Sequence, residues 1–184
     1  MSAVSVLVLP GHGDSGPDHW QSRWEAADPR LRRVVQRDWL EPELDDWVAT
    51  LDREVVACPA PPVLAAHSLG CVLVAHWSRR TGRGVRGAFL VAPVDVEAVA
   101  QIIPAVESFT PMPLVPMAFP SIVVASDDDI YTPITRAEAF ARAWGSRFVR
   151  LSRAGHINSA SGHGDWPEGR AWLEELVRGA PAGR

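Results

Sequence analysis

Strands alternating with helices along 184 residues predict an α/β protein, a three-layer α/β/α sandwich on a predominantly parallel sheet of about six strands. Two features carry that expectation. Short apolar runs rich in β-branched residues, at 4–9, 63–67, 85–92 and 121–126, read as strands buried on both faces, as parallel strands are. The stretches between them are too long for hairpins, and several repeat apolar residues at helical spacing, so they read as crossover helices. The length fits one domain over residues 1–178, with 179–184 expected as a flexible tail.

In order, the first strand ends at Pro10-Gly11 and opens into a glycine-rich loop that runs to Pro17. That loop lacks both G-x-G-x-x-G and the lysine-bearing P-loop pattern, so its main-chain N–H groups suit half of an oxyanion site better than a phosphate cradle. Asp18 stands as the N-cap of a helix that carries Trp20 and Trp24 on one face. Residues 34–37 are the candidate second strand. Leu44, Trp47, Val48, Leu51 and Val55 mark an amphipathic helix over 43–56, which ends before Pro59.

After the strand at 63–67 the apolar run breaks at His67-Ser68 and resumes towards Arg80, which reads as strand, sharp turn and helix with a serine at the apex. Between Pro93 and Pro120 the periodicity fades, and Pro104, Pro111, Pro113 and Pro116 exclude a long helix. This segment reads as a rim too short to be a lid domain. Asp127, Asp128 and Asp129 follow the strand at 121–126 as a metal loop or a solvated turn, although the alternate oxygen-ligand spacing of a calcium loop is absent. A helix from Pro133 buries Ala137, Phe140, Ala141 and Trp144; the last strand is 147–151, and the last helix spans 167–177 with proline in its first turn.

A net charge of −4 argues against general nucleic-acid binding, which needs a basic patch. Cys58 and Cys71 make no disulfide framework and suit a reducing compartment. The N-terminus has no charged leader, and no apolar stretch reaches the roughly 18 residues of a membrane span. A cytoplasmic location without membrane partners is therefore expected, and no protein partner can be named.

The crevice of a parallel sheet lies at the carboxyl ends of its strands, where the loops after Leu9 and His67 emerge. The loops after the later strands bring an aspartate of 127–129 and His156 to the same edge, giving the chain order Ser68, Asp, His156 that α/β-hydrolases use. A serine hydroxyl is a weak nucleophile and needs a base; His156 fits that role, with a carboxylate to fix its tautomer and stabilise the imidazolium. The Leu69 N–H at the helix start and the His12 N–H, with Gly13 as fallback, are the expected oxyanion donors. Gly70 permits close packing of helix on strand, while Ala66 replaces the first glycine of G-x-S-x-G. In such enzymes the acid commonly stands four positions before a proline, so Pro133 favours Asp129 over Asp128, which would instead order the turn.

These residues resemble the small, lidless serine hydrolases of the retinoblastoma-binding-protein-nine-like group, its short bacterial members in particular. The matching pieces are Pro10-Gly11, His19-Trp20, Asp38-Trp39, Trp47, Ala66-His67-Ser68-Leu69-Gly70 and Phe119-Pro120-Ser121 leading to Asp127-Asp128-Asp129. Gly155-His156-Ile157-Asn158, Ser161-Gly162 and Gly164-Asp165-Trp166-Pro167 complete them. The resemblance implies a compact α/β-hydrolase core, a triad on Ser68, Asp129 and His156, no cofactor, and hydrolysis of a small-molecule ester or related acyl substrate. A hydrolase fold used as a binding or regulatory module, with vestigial catalysis, is the alternative. His67 is read as a packing or hydrogen-bonding residue, His76 as a helix surface or core-edge residue, and His19 and His163 as makers of structural hydrogen bonds. Trp20, Trp39, Trp47 and Trp166 are core or pocket wall.

Overall fold

A computed structural model describes residues 4–179; residues 1–3 and 180–184, which include most of the expected tail, lie outside the described residues. The strands are β1 (Val6–Leu9), β2 (Leu31–Arg33), β3 (Val63–His67), β4 (Gly87–Val91), β5 (Ser121–Ser126) and β6 (Arg147–Leu151). They form one six-stranded sheet in the order β2-β1-β3-β4-β5-β6, and every pairing is parallel. The helices are α1 (Trp20–Ala27), α2 (Leu44–Val56), α3 (Leu69–Thr81), a short α4 (Val96–Val99), α5 (Ile134–Trp144) and α6 (Pro167–Arg178).

Side chains alternate across a strand, and here both faces are apolar. Val6 and Val8 face one way, with Val63, Ala65, Phe89 and Val91, against Trp20 and Trp24 of α1 and Leu173 and Leu176 of α6. Leu7 and Leu9 face the other, with Leu64, Ala66 and Leu90, against Trp47 and Leu51 of α2, α3, and Phe140 and Trp144 of α5. That produces the three layers. No helix among the described residues is long and apolar enough to cross a membrane.

Two local expectations need correction. The second strand is Leu31–Arg33, not 34–37. It is an edge strand that pairs only with β1, so a single buried residue such as Leu31 suffices, whereas Val35 is 69% exposed and cannot serve a sheet face. The cap of α1 is His19, whose Nδ1 accepts the Gln21 N–H, while Asp18 is drawn away to Arg23. The rim is as short as expected, Val96–Val99 and a 3-10 turn at Pro104–Phe109, and among the described residues there is no lid domain. Of the two places expected for His76, the helix surface is ruled out: the residue is buried, and its Nε2–H donates to the Phe109 carbonyl beneath that rim.

Candidate active site

From β1 the chain crosses to β2 on one side and then to β3 on the other, so the direction of winding reverses at the carboxyl ends of β1 and β3. A crevice opens at such a switch point. The loops after Leu9 and His67 meet there in close contact. A Cβ on Gly11 would lie 2.8 Å from the Ser68 Cβ and 3.2 Å from the Leu69 nitrogen, and one on Gly70 would lie 2.3 Å from the Leu9 oxygen. Only hydrogen at both positions lets helix α3 press its N-terminus onto the end of β1.

At the apex Ser68 takes φ 54° and ψ −121°, a conformation that side chains disfavour by about 1–3 kcal/mol. The surroundings hold it there: the Ser68 N–H donates to Val91 of β4 and its carbonyl accepts from Cys71, both at 3.0 Å. Ala66 does not prevent the turn. It is fully buried in β3, in register with Leu9 and Leu90, and its methyl belongs to the core.

Three of the expected residues come together. The Ser68 Oγ lies 3.0 Å from His156 Nε2, and His156 Nδ1 lies 2.8 Å from Asp129 Oδ2. The carboxylate accepts from Nδ1–H, which leaves Nε2 as the acceptor for the serine hydroxyl. The Asp129 side chain is 1% exposed, so the pair is shielded from water. Of the two expected loop donors, the Gly13 N–H is taken by the Trp39 carbonyl at 2.9 Å. The His12 N–H, beside Gly11, donates to no acceptor among the described residues, and the His12 ring instead bonds the Leu40 carbonyl.

A family model described as serine hydrolase matches residues 6–175. The chain belongs to the serine hydrolase family. A YdeN-like hydrolase from Pectobacterium atrosepticum is 33% identical, with a TM-score of 0.84 over 95% of this chain and 91% of that one. The ydeN gene product of Bacillus subtilis is 20% identical over 95% and 99% of the two chains, with a TM-score of 0.77. The carboxylesterase CesB of B. subtilis, 14% identical, matches the fold at 0.66 over 97% and 85%. No curated protein matches the sequence.

In this serine hydrolase the loop that carries His156 is held from several directions. Arg153, Gly155 and Ile157 all have φ near +50°. Asp127 accepts the Arg153 N–H, the Ser126 Oγ accepts the Ala154 N–H, and Asp128 accepts the Gly155 N–H, each at 2.8 Å. His67 Nε2–H donates to the His156 carbonyl, and the Trp20 indole N–H to that of Ile157. The three aspartates are thus neither a metal loop nor a plain solvated turn: two hold the histidine loop and the third holds the imidazole. Hydrogen bonds from Ser126 and Gly155 keep the Asp128 carboxyl below the usual range, and the Arg153 N–H does the same for Asp127.

Buried Gln21 was not singled out in the sequence. Its Nε2 donates to the Leu9 and Ala65 carbonyls, tying the ends of β1 and β3 under the crevice, while its Oε1 accepts from Ser15. A lone amide between Trp20 and Trp24 was its only signal. Trp20, Trp47 and Trp166 lie in the core and none lines the site. No group of three or more His, Cys, Asp or Glu among the described residues is placed to hold a metal.

Ser68 opens into a cavity of about 230 Å³. Leu69, Val94, Val99, Ile103 and Val106 give it an apolar wall built from α3 and the rim. Asp14, Gly16, His19, Asn158 and Ser159 give it a polar one, built from the first loop and the histidine loop.

Proposed function

We propose that Ser68, His156 and Asp129 are the nucleophile, base and acid of a hydrolase that cleaves small carboxylic esters through an acyl-enzyme. The hydrogen-bonded series from Ser68 through His156 to Asp129 carries this reading. The Ser68 oxygen attacks the ester carbonyl carbon as its proton passes to His156 Nε2, and Asp129 stabilises the imidazolium. The N–H groups of Leu69 and His12 hold the oxyanion, each donor being worth about 3 kcal/mol of barrier. Collapse breaks the bond to the leaving oxygen, which takes the proton from His156. Water, deprotonated by the same nitrogen, then releases the acid and restores Ser68.

The volume of the cavity and its valine- and isoleucine-rich wall support a short acyl group. Hydrolysis of p-nitrophenyl esters of graded length tests this. The expected profile peaks at short chains and vanishes in Ser68→Ala; a rise towards long acyl chains would overturn the size assignment.

A further inference from the structure

His19 is a polar side chain that the triad does not use. It is 4% exposed and packs against the rings of His67, at 4.6 Å, and Trp20, at 5.4 Å. Its Nδ1 accepts the Gln21 N–H, so the neutral ring carries its proton on Nε2. Burial, helped by His156, Arg33 and His163, lowers its pKa to about 4, which keeps the ring neutral. Nε2 is buried and has no hydrogen-bond partner among the described residues. Native proteins rarely leave such a donor unpaired, and each exception calls for an ordered water, an ion or a functional role.

His19 lines the cavity beside Gly16, Asn158 and Ser159. In the reaction proposed above His156 protonates the leaving oxygen, so the alcohol portion of the ester lies along the histidine loop and the first loop, with the acyl portion against the apolar rim. We propose that the Nε2–H of His19 is a substrate-binding donor that selects esters whose alcohol portion carries an ether, hydroxyl or carbonyl oxygen over purely alkyl esters. The assignment rests on the triad reading for which end of the substrate meets His19, but the recognition itself needs no turnover.

The test therefore uses Ser68→Ala protein and two esters of equal length, 2-methoxyethyl butyrate and butyl butyrate, titrated by NMR with ¹⁵N-labelled histidine. The expected result is that adding His19→Phe shifts the ratio of the two dissociation constants about tenfold towards the butyl ester, and that the ether ester moves the His19 Nε2 resonance. His19→Asn keeps an acceptor for the Gln21 N–H while withdrawing the imidazole donor, and should give the same shift even if His19→Phe fails to fold. A ratio unchanged within twofold in a folded variant would overturn the proposal, as for a donor satisfied by a permanent water. Fluorophosphonate labelling of the unmutated protein is read separately. Labelling with an unchanged ratio sinks the His19 assignment alone; a shifted ratio without labelling upholds His19 as a binding donor and sinks the triad.

Discussion

His67 Nε2 lies 2.9 Å from the main-chain oxygen of His156, joining the residue before the elbow serine to the loop that carries the imidazole. A carbonyl only accepts, so His67 donates, and burial holds its pKa well below the ordinary value, which leaves a single ring proton for this bond. The two loops of the site are thereby tied to each other directly. His67→Phe keeps the aromatic volume and removes the donor. It should lower kcat about tenfold to hundredfold, as a small misplacement of a base does, with KM within about twofold. Steady-state kinetics on a short p-nitrophenyl ester decide it.

Asp128 and Asp129 are adjacent, yet their partners differ: the Gly155 N–H and Ser126 hydroxyl for one, the His156 Nδ1 for the other. Asp129→Asn should cost about 10³–10⁴ in kcat with little change in Tm, since it favours the wrong tautomer. Asp128→Asn should lower Tm more than it lowers kcat. Paired melting curves and rate measurements distinguish them, and an inverted pattern would exchange the two roles.

The sheet, the elbow and the order of the three site residues were legible in the sequence because each is written locally. Both faces of a parallel strand are apolar, a serine breaks one apolar run, and a proline stands four places after the aspartate that bonds the His156 ring. The edge strand was misplaced because β-branched Val34 and Val35 outweigh Leu31 and Arg32 when pairing with β1 cannot be seen. The clamp on the histidine loop was hidden for a related reason. It joins Trp20, His67 and Ser126 to residues 28 to 137 positions away, and no periodicity records such contacts.

Acid should destabilise this protein well above the range where carboxylates titrate. The folded pKa of His19 is about 4 against an ordinary 6.5, and burial lowers those of His67 and His76 as well. Below pH 6.5 the unfolded chain binds protons that the folded one refuses, so stability falls as pH drops and the His19 contribution levels off near pH 4. His19 alone accounts for about 3 kcal/mol across that window. Urea unfolding at pH 7.5, 6, 5 and 4 should show the loss, and His19→Asn should reduce it by the His19 share while the part due to His67 and His76 remains.

The central claim is that Ser68 is the nucleophile. A fluorophosphonate probe followed by peptide mass analysis tests it most directly. The adduct is predicted on Ser68, absent in Ser68→Ala and strongly slowed in a folded His156→Ala variant; an unlabelled, folded wild-type protein, or an adduct on another residue, would contradict it.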